Sequence, residues 1–447
     1  MKWFNDHIGE IKNNKCIVFD DQFYTYVQLK MEIEHLFKKI STVIPKGLTV
    51  AILSDYSFKA VAAFFALYEN NNIVVPITSK INADINEKIG VALCDYKIEF
   101  DKNEIHIYKL ELLEQPHLLV QSLISKGRSG LVLFSSGSTG KPKAMIHDLD
   151  LLIDSFRTKR SKELNFLVFL MFDHIGGLNT LLNCISIGST VVLPVNRNPM
   201  DICKLIEKYK INVLPASPTF LNLILLSGAH FQFALSSLRL ITYGTEPMPE
   251  SLLSRLKDVF PKVKFLQTFG TSETGISQMS SKSSSSTLMK FEDVNTETKV
   301  VNGELYIKSN TQVLGYLNFS MERFTPDGWF RTGDLVESDE DGFFRIVGRN
   351  SEIINVGGEK VLPSGVESVL YQFEKIKDCI VFGESNPISG QMVVAKILYS
   401  ENIPLADVKK EIREFCKNKL ESYKIPVKIV LMSSSEFSER FKKRRIN

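Results

Sequence analysis

The sequence predicts an α/β fold in two parts. A large N-terminal α/β domain, with β-sheets flanked by helices and a small β-rich subdomain, precedes a small α/β C-terminal domain. Three observations carry this. Short apolar runs alternate with amphipathic stretches through the first two thirds of the 447 residues. The character then turns β-rich and glycine-punctuated near Gly303, and a second α/β pattern resumes after Gly348.

In chain order, residues 49–53 read as a strand, 58–69 as a helix and 73–76 as a strand. Buried strands are expected at 131–134, 166–172, 190–193, 213–215, 240–243 and 264–267. Amphipathic stretches such as 202–209 and 252–260 lie between them, the first placing Ile202, Leu205 and Ile206 on one face. Strands alternating with helices imply largely parallel sheets covered on both sides. Residues 304–308, 328–331 and 342–347 read as short β segments, and 379–382 and 392–398 as later strands. Leu405, Val408, Ile412, Phe415 and Leu420 then trace one helical face. A boundary between Val347 and Asn355 divides a body, 1–348 with its β-rich part near 300–347, from a lid, 349–447. The serine-rich run 280–286 predicts a flexible surface loop. There is no repeat at solenoid periods.

Composition excludes several classes. With 54 Lys+Arg against 51 Asp+Glu, the formal charge of +3 advertises neither a nucleic-acid nor a membrane partner. The local exception is Lys442-Lys443-Arg444-Arg445. The six cysteines are scattered, without CxxC pairs or histidines at ligand spacing, as in reduced thiols of a cytoplasmic protein. Residues 1–15 lack the apolar run of a signal peptide, and no apolar run is long enough to span a bilayer. The expectation is a soluble, multi-domain intracellular protein.

The first chemical motif follows the strand at 131–134: Ser135-Ser136-Gly137-Ser138-Thr139-Gly140-Lys141-Pro142-Lys143. Small residues let backbone N–H groups approach an anion, hydroxyls add donors and lysine adds charge, which suits phosphate. A solvated Ser/Gly/Lys turn is the bland alternative. It is not a Walker A loop, because Ser135 stands where Gly is required and Pro142 where Ser or Thr should follow the Lys.

Further motifs follow in order. They are Phe172-Asp173-His174-Ile175-Gly176-Gly177, Tyr243-Gly244-Thr245-Glu246-Pro247 and Thr268-Phe269-Gly270-Thr271-Ser272-Glu273-Thr274-Gly275. Gly328-Trp329-Phe330-Arg331-Thr332-Gly333-Asp334-Leu335 and the stretch from Gly348-Arg349 to Glu359-Lys360-Val361 complete the set. Together with the phosphate loop they resemble the adenylate-forming (AMP-binding) superfamily, in its acyl-CoA synthetase-like form, over nearly the whole chain.

The resemblance implies ATP-dependent activation of a small carboxylic acid to an acyl-adenylate, then thioester formation with coenzyme A, releasing AMP and pyrophosphate. It implies ATP, Mg²⁺ and coenzyme A as cofactors. It also implies a C-terminal lid that is mobile, rotating between the two half-reactions about Ser351. Ser135, Ser138, Thr139 and Lys143 would hold the β/γ-phosphates, with Gly137 and Gly140 permitting backbone approach. Gly244, Thr245 and Glu246 would lie along adenine, with Phe269 stacking on it beside Gly270. Ser272 would donate to the α-phosphate, Glu273 would hold the metal, Asp334 the ribose hydroxyls, and Arg349 ribose or phosphate. His174 would gate the pocket near the acyl carboxylate, and Gly357 would admit pantetheine. Taken singly, Phe269 and His174 would read as core residues, Glu273 and Asp334 as turn or surface carboxylates, and Arg349 as half of a salt bridge.

Two departures stand out. The family's catalytic lysine follows a glycine, whereas Phe441 precedes Lys442 here, so Lys442 or Lys443 could serve, or the run could be a solvated tail. Ser351 stands where an aspartate is frequent at the hinge. Asp173 keeps an amino-acid substrate open as a second reading. An acyl carrier protein could replace coenzyme A as acceptor, and a nucleotide-binding homologue without turnover is the remaining alternative.

Overall fold

The computed structural model of the chain describes residue 11 and residues 13–101, 104–111, 115–136, 141–157, 161–437 and 443. Two seven-stranded sheets build the body. The first orders its strands Lys264–Gln267, Leu240–Tyr243, Val213–Ala216, Asn165–Leu167, Thr190–Leu193, Lys15–Phe19 and Gln22–Thr25. Only the last pair is antiparallel. Parallel neighbours need crossovers, and helices Ile175–Ser186, Pro199–Tyr209, Pro218–Ser227 and Glu250–Val259 provide them.

The second sheet orders Gly315–Tyr316, Pro142–Asp148, Gly130–Ser136, Ile73–Ile77, Thr49–Leu53, Tyr96–Asp101 and Glu104–Lys109. Helix Phe58–Glu69 is buried almost all round and joins residues of both sheets in one core, with helix Tyr26–Val43 beside it. Ser57 starts the first helix by accepting from Ala60 N at 3.0 Å, and a Thr25/Gln28 capping box starts the second.

A six-stranded antiparallel sheet follows, in the order Met279–Ser281, Met289–Phe291, Phe344–Arg349, Phe330–Ser338, Glu304–Ser309, Thr296–Val301. The small C-terminal domain has its own five-stranded sheet and a core running from Ile354 to Ile429. Its helix Leu405–Lys417 buries Val408 and Ile412 and ends before Leu420. All six cysteines are buried and free. Among the described residues no helix is long and apolar enough to cross a membrane.

Two expected elements differ. The strand expected at 166–172 ends at Leu167. Beyond it, Arg197 Nε donates to Phe169 O at 2.5 Å and Phe172 N donates to Asp55 Oδ1 at 3.1 Å. Val168, Phe169 and Phe172 are nevertheless fully enclosed, so side chains satisfy backbone that a ladder would otherwise pair. The serine run is not a bare loop. It begins in the strand Met279–Ser281, and the hydroxyls of Ser281 and Ser284 accept from Gln267 N and Phe265 N at 3.0 and 2.8 Å. Those amides belong to the edge strand of the first sheet, which the serines cover.

Candidate active site

The antiparallel pair Gly130–Ser136 and Pro142–Asp148 brackets the phosphate loop and sets Ser135 directly opposite Lys143. Gly137, Ser138, Thr139 and Gly140 lie outside the described residues. Asn318 holds the returning arm: its Oδ1 accepts from Ala144 N and its Nδ2 donates to Pro142 O, both at 2.9 Å. Lys143 Nζ sits 4.8 Å from the centre of the Phe319 ring.

The short strand Gly315–Tyr316 pairs with Met145 and Ile146, and so carries Tyr316 from the phosphate-loop strand to Glu273. Tyr316 Oη donates to Glu273 Oε1 at 2.9 Å, while Val313 N donates to Glu273 O at 2.8 Å. Glu273 is 8% exposed, and its Oε2 takes no protein donor among the described residues. One oxygen fixes the carboxylate and the other stays available, an arrangement that fits a hard cation completed by phosphate oxygens. Among the described residues there is no cluster of three or more ligating side chains, so a metal here would depend on the nucleotide for its remaining ligands. Burial, reinforced by Glu273, raises the Tyr316 phenol well above its ordinary value, so it remains a donor.

Asp334 and Arg349 face each other across neighbouring strands, with Arg349 Nε donating to Asp334 Oδ1 at 2.8 Å. Asp334 is 4% exposed, and burial pushes its carboxyl above the usual range against the pull of Arg349. The Arg349 side chain is half exposed. Its charge also feels Glu273, which places the ion pair beside the metal carboxylate.

His147 went unnoticed in the sequence. It is buried beside the Ser272 and Thr311 backbones, and neither ring nitrogen makes a hydrogen bond of ordinary geometry. Ser272 is half-buried in the turn that Thr271 shapes by accepting from Thr274 N at 3.0 Å. Tyr316 and Asn318 were also missed. The only local signal was the Gly315-Tyr316 pair, because the contacts they make are long-range.

His174 caps helix Ile175–Ser186, its Nδ1 accepting from Gly176 N at 3.0 Å. That bond leaves Nε2 to carry the proton of the neutral ring. A Cβ on Gly177 would stand 2.3 Å from Met171 O, so glycine is obligatory where this helix packs on the His174 loop.

On the adenine side, a Cβ on Gly244 would stand 2.7 Å from Thr268 O, and one on Gly270 would meet Gly275 O at 2.6 Å. These glycines bring the ends of two strands together. Thr245 has φ of 74°, a strained value for a β-branched residue, and its buried Oγ1 finds no partner. An orphaned hydroxyl on a strained turn between close-set strand ends fits a site built for a ligand.

Three expectations need correction. Phe269 is packed among Met279, Met289, Leu305 and Ile307, edge-on to Phe291, so the bulk of its ring belongs to the core and is not an open platform. The Glu246 carboxylate is taken by the Thr219 and Lys443 amides at 2.7 and 3.3 Å, leaving only its backbone for adenine. Gly357 and Gly358, at φ of 61° and 96°, form a two-residue hairpin turn, which alone explains the need for glycine there. Open space surrounds both. Lys442 lies outside the described residues. The Lys443 side chain is buried against Glu367 of the small domain, which removes it as a free cation in this arrangement.

The AMP-binding enzyme family matches residues 4–317, and the AMP-binding enzyme C-terminal domain matches 365–442. The chain belongs to the AMP-binding enzyme family. Among relatives of this AMP-binding enzyme is a 2-succinylbenzoate–CoA ligase of Bacillus licheniformis, 24% identical across 95% of this chain and 94% of the relative. Similar solved structures include an anthranilate CoA ligase in complex with anthranoyl-AMP, with TM-score 0.83, 19% identity, and coverage of 99% and 95% of the two chains. Another is an amide bond synthetase from Marinactinospora thermotolerans, with TM-score 0.80, 19% identity, and coverage of 97% and 96%.

Proposed function

We propose that this protein is an AMP-forming acid–thiol ligase, activating a carboxylic acid with ATP and passing the acyl group to coenzyme A. The observation that carries the reading is Glu273, a buried carboxylate fixed through one oxygen by Tyr316 and set beside the Asp334–Arg349 pair. In the first half-reaction a carboxylate oxygen of the acid attacks the α-phosphorus of ATP. The bond to the bridging oxygen of the β-phosphate breaks, and pyrophosphate leaves with that electron pair. In the second, the thiolate sulfur of coenzyme A attacks the acyl carbon, the C–O bond breaks and AMP departs.

Residue roles follow the chemistry. Ser135, Lys143 and the Gly137–Gly140 loop bind the β/γ-phosphates, and Ser272 donates to the α-phosphate. Asp334 accepts from the ribose hydroxyls while Arg349 holds it in place. Lys442 balances charge between acid and phosphate. Glu273 holds Mg²⁺, which when bound offsets the negative charge of the phosphates. His174 fixes the loop along which the acid lies. The body spans 1–348 and the lid 349–447, with the turn Asn350–Glu352 as hinge. Relatives named for 2-succinylbenzoate and anthranilate make aromatic acids the first substrates to test.

The test is acid-dependent ATP–pyrophosphate exchange over benzoate, 2-succinylbenzoate, anthranilate and a series of aliphatic acids, followed by assay of the CoA thioester. Exchange with at least one acid and a CoA product is expected. No exchange across the panel refutes the enzyme reading. Strong exchange without a CoA thioester moves the acceptor to a carrier-protein thiol or an amine.

A further inference from the structure

Residues 437 and 443 form an antiparallel bridge that closes the loop holding 438–442. The small domain holds both stems of that loop. On one side Glu436 Oε2 meets Lys396 Nζ at 2.8 Å. On the other, Lys443 Nζ lies 3.2 Å from Glu367 Oε2, donates to Cys379 O at 2.9 Å and sits 4.7 Å from the Tyr371 ring centre. The Lys443 and Glu367 side chains are 10% and 5% exposed. The second oxygen of Glu367 accepts from Val381 N at 2.9 Å, so the helix Pro363–Leu370 and the strand Ile376–Asn386 share this anchor. Burial by itself would drive the Lys443 ammonium towards neutrality. The Glu367 carboxylate outweighs it and holds the group well above an ordinary lysine.

The backbone of the same residue faces the other domain. Lys443 N donates to Glu246 Oε2 at 3.3 Å, and Glu246 Oε1 accepts from Thr219 N at 2.7 Å at the start of helix Pro218–Ser227. One residue therefore carries a side-chain tie to the lid and a main-chain tie to the body. An ammonium committed to a buried carboxylate, a carbonyl and an aromatic face cannot also neutralise a phosphate in the same arrangement.

We propose that Lys443 is a positioning residue: it pins the 438–442 loop to the lid through Glu367 and registers it on the body through Glu246. Lys442 is then the cation presented to the acid and the α-phosphate. The inference rests on the adenylation reading above. The tie to Glu246 joins lid to body only in this arrangement, so it serves the first half-reaction and not the one that follows lid rotation.

The experiment uses the full chain with Lys442→Ala, Lys443→Met, Glu367→Gln, Glu246→Ala and the swap Lys443→Glu/Glu367→Lys. ATP–pyrophosphate exchange is measured with the best acid of the panel, and thioester formation from the pre-made adenylate of that acid. Lys443→Met, Glu367→Gln and Glu246→Ala should each lower exchange roughly 10- to 100-fold, the scale of a misplaced catalytic group. Thioester formation should stay within about twofold. The swap should recover at least part of the loss, and Lys442→Ala should abolish exchange. Persistent exchange in Lys442→Ala with none in Lys443→Met overturns the proposal. So does equal loss of both half-reactions in a variant whose Tm is unchanged. Amide hydrogen exchange at residue 443 judges the anchor without turnover, and Glu246→Ala keeps it falsifiable should the lid variants fail to fold. The amide should be protected in the wild type and faster in Glu246→Ala. Equal rates overturn the anchor, whereas a wild type inactive on every acid refutes only the adenylation reading.

Discussion

Tyr316 Oη donates to Glu273 Oε1 at 2.9 Å, across 43 positions of sequence and inside a buried site. The bond joins the strand beside the phosphate loop to the turn that carries the metal carboxylate. It orients one oxygen and leaves the other to a cation. Tyr316→Phe keeps the ring and removes only the donor. Stability should fall by about 1 kcal/mol, the usual net value of such a bond. Pyrophosphate exchange should fall by roughly tenfold, with a higher Mg²⁺ concentration needed for half-maximal rate. An unchanged Mg²⁺ titration would separate Glu273 from the metal.

Asp334 ties stability to function in the opposite sense. Burial raises its carboxyl above the normal range despite Arg349. A carboxyl raised on folding contributes stability that is complete below the unfolded value and is lost as pH rises through the folded one. At neutral pH the ionised Asp334 is therefore a local liability. Asp334→Asn should not lower Tm at pH 7.5, while KM for ATP rises by about tenfold or more through loss of the ribose acceptor. The difference in Tm between the two proteins should vanish as pH falls towards the ordinary aspartate range. A lower Tm for the variant at every pH would contradict the burial argument.

Much of this arrangement was legible because parallel strands are continuous apolar runs: 190–193, 240–243 and 264–267 hold in the structure as read. The same signal failed at 168–172, where the chain is equally apolar and equally buried but is bonded by Asp55 and Arg197. Periodicity reports burial and not pairing. Composition misled in the serine run, because hydroxyls that suit a solvated loop also cap a sheet edge. In the site, ordered motifs located Glu273, Asp334 and Arg349. Nothing local could show that Tyr316 holds the first, or that Arg349 pairs with the second. Phe269 and Glu246 were assigned to the nucleotide by position, while packing and main-chain bonds claim their side chains.

His147 gives a pH prediction with a definite sign. Burial pushes its imidazole down to about 4 from an ordinary 6.5. A base depressed on folding contributes stability that is complete above the unfolded value and is lost as pH falls through the folded one. The window is therefore pH 6.5 down to about 4, and the full loss is about 3 kcal/mol. Urea denaturation of wild type and His147→Gln at pH 7.5, 5.5 and 4.5 tests this. The variant should be less stable at pH 7.5, and the two curves should approach each other on acidification. Parallel curves would mean that His147 does not titrate in this window.

Thr245 combines a left-handed φ of 74° with a buried hydroxyl that bonds to nothing in the protein. Each feature is unfavourable: the backbone strain of a non-glycine residue costs about 1–3 kcal/mol, and an unsatisfied buried hydroxyl costs about as much again. Both are relieved by Thr245→Gly, which accepts the φ without strain and has no hydroxyl to orphan. Loss of packing and the freer unfolded chain offset part of that gain, so the net expectation is a Tm at or above wild type. If the turn exists to face the nucleotide, the same change should raise KM for ATP several-fold while leaving KM for the acid unchanged. Those two readings must move in opposite directions, stability up and nucleotide affinity down. A variant that loses stability and keeps its affinity would make Thr245 a packing residue. A variant that gains stability at no cost to ATP would leave the strain at this turn without a role in the reaction.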